Sequence, residues 1–158
     1  YRMKIETAVF GGGCFWCTET VFLELRGVQS VMPGYAGGTS PNPTYWDVAS
    51  GMTDHAEVIK IEFDPALITF KDLLTVFFAS HDPTTLNQQG NDVGTQYRSA
   101  IFYHDQQQKE TAEKVKKQIE EEHVYPSPIV TEIVPFEQFY KAENYHENCR
   151  GSQPSVSL

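Results

Sequence analysis

Gly11-Gly12-Gly13-Cys14-Phe15-Trp16-Cys17-Thr18-Glu19 is the stretch that decides how the chain folds. Ahead of it, Ile5-Glu6-Thr7-Ala8-Val9-Phe10 is apolar and β-prone, which predicts a strand; the glycines then let the backbone turn without Cβ clashes. Behind it, Phe15, Val21, Phe22 and Leu25 recur at near-helical spacing, which predicts a helix from about Phe15 to Arg26, ended by Gly27. Cys14 thus falls where a strand passes into a helix. Free N–H groups and the positive end of the macrodipole favour a thiolate there, the form of cysteine that acts as a nucleophile. A helix terminus supplies at most about 1–2 kcal/mol, enough to lower a thiol of reference pKa near 8.5 by about one unit. Position alone leaves Cys14 equally readable as a small buried hydrophobe. Two large aromatics directly behind it, where bulky residues serve no backbone purpose, favour a pocket.

Working outward, Val28 to Tyr35 reads as a strand with a break at Pro33-Gly34, and Gly37 to Pro43 is loop composition throughout. Thr44 is placed to cap a short helix through Ala49, and His55 to Phe63 alternates as a strand does. Phe70 to Ser80 is an apolar helix that must pack against a sheet. His81 to Gly94 is a second long polar loop, and both loops are read as walls of a site because connectors of that length are uncommon. Tyr97 to Tyr103 is a strand, Asp105 to His123 an amphipathic helix stopped by Pro126 and Pro128, and Ile129 to Val134 another strand. This order predicts an α+β fold, a ferredoxin-like sandwich with helices on a mixed central sheet and long active-site loops. The whole chain, 1–158, is expected to be a single catalytic domain with a loose tail from Gly151 to Leu158.

Composition narrows the function. A formal net charge of −9 argues against nucleic acid, which is bound by clustered Lys and Arg, and no apolar run reaches the roughly 20 residues of a membrane span. Three cysteines, an odd number, do not make a secreted disulfide scaffold, so a reducing compartment is expected. The cytoplasm is the simplest choice, although the N-terminus at Tyr1 reads as truncated and a targeting segment ahead of it stays open.

Three chemistries compete for the cysteines. Cys14-x-x-Cys17 with His146-x-x-Cys149 has acceptable zinc-ligand spacing, but Phe15 and Trp16 crowd the first pair. His55-Ala56-Glu57 is one fragment of a zinc deaminase signature, but here the cysteine pair comes before it instead of after. No metal site is therefore expected. A thioredoxin-like dithiol, Cys14-x-x-Cys17, has the right context yet leaves the two long loops unexplained. The third reading is one nucleophilic cysteine facing a neutral substrate with an apolar end and one oxygen. Glu57 is then a candidate acid and Tyr45 and Tyr97 candidate hydroxyl donors, while Asp92 is most simply a turn former.

Gly12-Gly13-Cys14-Phe15-Trp16 closely resembles the active-site signature of the A-type peptide methionine sulfoxide reductases. The resemblance continues in family order through Pro33-Gly34-Tyr35-Ala36-Gly37-Gly38, Asn42-Pro43-Thr44-Tyr45 and His55-Ala56-Glu57-Val58, then Asp92 to Ser99 and Ala142-Glu143-Asn144-Tyr145-His146. It implies reduction of the S epimer of methionine sulfoxide, free or in proteins, to methionine. By position, Cys14 resembles the nucleophile that becomes a sulfenic acid, and Phe15 and Trp16 the holders of the substrate methyl. Glu57 resembles the proton donor to the sulfoxide oxygen, Tyr45 and Tyr97 its hydrogen-bond donors, and Asp92 a member of the same polar network. A second anion beside a thiolate in a dry pocket is disfavoured, so Glu57 is expected to be protonated at neutral pH.

Many members of the family that it resembles carry one or two resolving cysteines in a glycine-rich C-terminal tail, and residues 143–158 do not read as that tail. Cys149 and Cys17 remain as resolving candidates, beside direct reduction by an external thiol. The expected partners are oxidised proteins, free methionine sulfoxide and a thioredoxin or glutathione-linked reductant, with no bound cofactor, no nucleic acid and no membrane, and the protein itself is expected to be a monomer.

Overall fold

The computed structural model describes residues 5–13, 15–38, 42–49, 53–89 and 92–142, with the side chains of all of these except 15–18, 45, 49 and 92. Strand β1 (Glu6–Gly11) leads through the glycine turn into helix α1 (Phe15–Leu23), and β2 (Val28–Ala36) follows. Helix α2 (Tyr45–Ala49), strand β3 (Ala56–Phe63) and helix α3 (Phe70–Ser80) come next. Two short strands, β4 (Gln88–Gln89) and β5 (Asp92–Val93), precede a 3-10 turn at Thr95–Tyr97. The chain continues through β6 (Ala100–Tyr103), α4 (Gln106–Glu121), β7 (Glu132–Pro135) and β8 (Phe139–Lys141).

Helix starts are fixed by local chemistry. Thr69 and Asp72 form a reciprocal capping box on α3, at 3.0 and 3.1 Å. Asp105 accepts from the Gln108 N–H at 2.8 Å to open α4, and Thr44 accepts from the Asp47 N–H at 3.1 Å to open α2.

The main sheet runs β7-β6-β1-β3-β2-β8, antiparallel except for the parallel β6–β7 pair. Its four middle strands with α1 and α3 have the order and directions of a ferredoxin-like core, so the expected α+β class is the observed one. β7 and β8 are added at the two edges.

Strand alternation sorts the core between the two faces. Ala8, Phe10, Tyr35, Ile59, Ile61 and Phe63 join Phe22, Leu73, Leu74, Phe77 and Phe78 on the helix-bearing side. Val9, Ala36, Ala56, Val58, Ala100 and Phe102 form a second cluster on the opposite side. Phe10 anchors the first cluster, its ring centroid 4.8 Å from that of Phe77 and 5.9 Å from those of Phe22 and Phe70. Full burial of such a side chain contributes about 1.5–3 kcal/mol. Because Phe10 immediately precedes the glycine turn, that packing holds the turn where it is.

Several expectations change: α1 ends at Leu23 instead of near Arg26, β7 spans Glu132–Pro135 instead of starting at Ile129, and the loop at 81–94 holds the β4–β5 ladder. The strand at residues 28–36 is continuous through Pro33-Gly34. The Phe139 ring of β8 fills the space a Cβ on Gly34 would need, and the Pro33 carbonyl accepts from the Ala142 N–H at 2.9 Å. The Pro-Gly pair thus admits a neighbouring strand instead of ending its own. Tyr97 lies in a 3-10 turn, not a strand, because pairing with β1 begins only at Ala100, opposite Gly11 where β1 stops.

Candidate active site

The glycine turn is packed on three sides, and each contact brings a predicted site segment to it. A Cβ on Gly11 would stand 3.3 Å from the carbonyl oxygens of both Glu57 and Arg98, so β3 and the residue after Tyr97 close directly on the end of β1. A Cβ on Gly12 would stand 3.0 Å from the Phe77 ring and 3.1 Å from the His81 ring. Gly13 has φ +95°, a conformation glycine adopts freely, and a Cβ there would meet the Gln89 side chain at 2.8 Å. Gln89 pairs with Asp92 across the short β4–β5 ladder.

Cys14 and Cys149 lie outside the described residues. The chain ordering is nevertheless clear: residue 14 falls between the turn and the first residue of a nine-residue helix, the strand-to-helix junction read from the sequence. Phe15, Trp16 and Cys17 occupy the first turn of α1. Tyr45 opens α2, which is tied to the helix-side core by the buried Val48.

Glu57 is 3% exposed, an environment that sets it apart from an ordinary surface carboxylate. Alternation places it on the face of Ile59 and Ile61, directly opposite the fully buried Tyr35 of β2. A carboxyl so enclosed favours its neutral form unless a cation or several donors compensate. Tyr97 is half-buried at the end of the 3-10 turn. The next residue is pinned, the Arg98 guanidinium donating to Thr95 O at 2.9 Å and pairing with Glu132 at 3.2 Å.

Sequence reasoning passed over His81 and Gln89, read only as parts of a polar loop. Gln89 clamps that loop shut, its amide accepting from Asp82 N at 2.9 Å and donating to Asp82 O at 2.5 Å. His81 is bound at both ring nitrogens, Nδ1 to the Phe77 carbonyl and Nε2 to the Ser99 hydroxyl, each at 2.7 Å. The only sequence signal was position, directly after an apolar helix and at the head of a long loop. Desolvation pulls the His81 imidazole down from 6.5 to about 4, outweighing the Phe77 hydrogen bond and the Asp82 charge that act the other way. No cationic histidine therefore supports a thiolate from beneath Gly12 at neutral pH. Among the described residues no group of three or more His, Cys, Asp or Glu side chains is arranged to hold a metal ion.

The depressed His81 value has a consequence for stability. As pH falls through 6.5 the unfolded chain takes up this proton and the folded chain does not, so stability is full above about 6.5 and drops toward 4. The loss attributable to His81 should reach about 2–3 kcal/mol near pH 4. His104, also lowered by burial, adds in the same direction. Thermal unfolding against pH should show a flatter slope in His81→Asn than in the parent, and an identical slope would remove His81 as the source.

Comparisons with known proteins converge with this arrangement. The sequence profile of the family described as peptide methionine sulfoxide reductase matches residues 6–157. The peptide methionine sulfoxide reductase MsrA of Sulfolobus acidocaldarius is 56% identical over 144 residues, 91% of this chain and 81% of that protein. That of Deinococcus radiodurans is 55% identical over 149 residues, 94% of this chain and 72% of the relative. Among solved structures, methionine sulfoxide reductase A of Corynebacterium diphtheriae superposes with a TM-score of 0.88 at 36% identity, covering 95% of this chain and 76% of that one. Mxr1 of Saccharomyces cerevisiae in complex with Trx2 superposes with a TM-score of 0.66 at 27% identity, covering 89% of this chain and 83% of that one. With a glycine turn leading into α1, a buried Glu57 whose backbone carbonyl lines the space beside Gly11, and a profile spanning nearly every residue, the chain belongs to the peptide methionine sulfoxide reductase family.

Proposed function

We propose that this chain reduces the S epimer of methionine sulfoxide, free and within proteins, through a sulfenic acid on Cys14. In this reading the Cys14 thiolate attacks the sulfoxide sulfur and Glu57 gives its proton to the sulfoxide oxygen, which leaves Cys14 bonded to a substrate sulfur that carries a hydroxyl. That hydroxyl passes to Cys14 Sγ as the bonds from the substrate sulfur to Cys14 and to oxygen break, so methionine leaves with its sulfur reduced by two electrons and Cys14, oxidised by two, becomes the sulfenic acid. Phe15 and Trp16 hold the substrate methyl, Tyr45 and Tyr97 hydrogen-bond the oxygen, and Asp92 belongs to their polar network. The burial of Glu57 at 3% exposure carries this reading, since a proton donor at neutral pH must be kept neutral by its surroundings.

Recycling requires a thiol. Attack by Cys149 or Cys17 on the sulfenic acid releases water and leaves a disulfide, which a thioredoxin-type dithiol then reduces by exchange. The yeast relative solved with Trx2 supports a reductant of that class. The experiment is mass spectrometry of proteolytic peptides after one turnover with methionine S-sulfoxide. A Cys14 sulfenic acid or a disulfide containing Cys14 is expected, and an unmodified Cys14 beside reduced product would overturn the reading. The identity of the disulfide partner decides between Cys149 and Cys17, and a persisting sulfenic acid points to direct reduction from outside.

A further inference from the structure

We propose that His81 is a positioning residue for this reaction: its imidazole, locked at both nitrogens, is the floor that fixes the Gly12 peptide and with it the approach of the residue-14 sulfur. The inference rests on the reading that Cys14 is the nucleophile.

The lock is a line of hydrogen bonds with one direction. The Phe77 carbonyl only accepts, so Nδ1 carries the ring proton and donates to it at 2.7 Å. Nε2 of the neutral ring then accepts from the Ser99 hydroxyl at 2.7 Å, and Ser99 Oγ in turn accepts from the Thr131 hydroxyl at 2.7 Å. Lys116 Nζ donates to the Thr131 carbonyl at 3.2 Å at the far end. The line joins the C-terminal end of α3, the residue before β6 and the residue before β7, three elements that converge behind the turn. Ser99 and Thr131 are each 2% exposed, so the bond between their hydroxyls is made away from water, where an unmade one is costly.

This arrangement does more than fill space. The His81 ring also packs on Phe77, centroids 4.4 Å apart, and an apolar ring would occupy that floor equally well. What an apolar ring lacks is a fixed rotation, because the second side-chain torsion of an aromatic residue is soft. Bonds at both nitrogens remove that freedom. The ring Cγ and Cδ2 lie 3.1 and 3.2 Å from where a Gly12 Cβ would stand, so the imidazole fills the side of Gly12 that a side chain would take, and its fixed rotation sets the surface on which that peptide rests. Having both nitrogens engaged also removes His81 as a general base, so its effect on the chemistry passes through geometry alone. A misplacement of about 1 Å at a reacting atom costs up to about 10²-fold in rate.

Truncating His81 itself risks unfolding the turn, so the test uses Ser99→Ala, which deletes one hydroxyl, beside Thr131→Val and Thr131→Ser. Three quantities are read on folded protein: the single-turnover rate with a methionine sulfoxide peptide, the dissociation constant of that peptide, and the alkylation rate of Cys14 resolved by peptide mass. In Ser99→Ala the single-turnover rate should fall about 10-fold, with the dissociation constant changed less than about two-fold. The Cys14 alkylation rate should change with it. Thr131→Val should follow Ser99→Ala, and Thr131→Ser, which keeps the hydroxyl, should return toward the parent. Lowered thermal stability with rates within two-fold of the parent would make His81 a packing residue and overturn the proposal. If the parent itself fails to reduce sulfoxide, the functional reading falls separately, and the Cys14 alkylation rates alone decide whether His81 positions that sulfur.

Discussion

Cys14→Ser is expected to abolish sulfoxide reduction, lowering the first-turnover rate by more than about 10⁴-fold while leaving the fold intact. Serine is the smallest change available, oxygen for sulfur at a position between the glycine turn and α1. An alcohol stays protonated where a thiol ionises, and oxygen is the poorer nucleophile toward sulfur, so both requirements of the attack are lost together. The helix terminus cannot compensate, since about 1–2 kcal/mol is far short of what ionising a hydroxyl demands. Following loss of one oxygen from a sulfoxide peptide by mass gives the rate, and circular dichroism checks the fold. Turnover by the serine variant within ten-fold of the parent would move the nucleophile to Cys17 or Cys149 and revive a dithiol reading.

Glu57→Gln should lower the first-turnover rate by about 10²–10⁴-fold with little change in substrate affinity. Glutamine has the carboxyl's shape and still donates a hydrogen bond, so binding of the sulfoxide oxygen survives. It has no proton to transfer, and the oxygen must then leave the substrate sulfur as a poorer leaving group. Because Glu57 is 3% exposed and faces the fully buried Tyr35, removing its ionisable character should not destabilise the protein. The unfolding midpoint of the variant is therefore expected at or above that of the parent. A rate within three-fold of the parent would end the assignment of Glu57 as proton donor, and a large loss confined to substrate binding would reduce it to a hydrogen-bond partner.

Most of the fold was legible because its signals are local. Alternation at residues 56–63, apolar spacing at 70–80 and the charged face of 106–121 each set an element without reference to the rest of the chain. The reading failed where a neighbour decided the outcome. Pro33-Gly34 is a break by composition, but β8 crosses there and needs a residue without a side chain. Residues 97–99 are strand-like by composition, but β1 has already ended opposite them. β8 itself is three residues long, too short for any periodicity to show.

The site divides in the same way. Sequence by itself determined the family and the fold class, since the order of motifs along the chain is all these require, and it named Gly11-Gly12-Gly13-Cys14, Glu57, Asp92 and Tyr97 as the segments proposed to carry chemistry. Only the tertiary structure decided that Glu57 is enclosed, that the carbonyls of Glu57 and Arg98 close on Gly11, and that His81 lies under Gly12. Those facts depend on contacts across tens of residues, from β1 to β3, α3 and β6, and burial is a property of the assembled sheet and helices that no stretch of chain has alone.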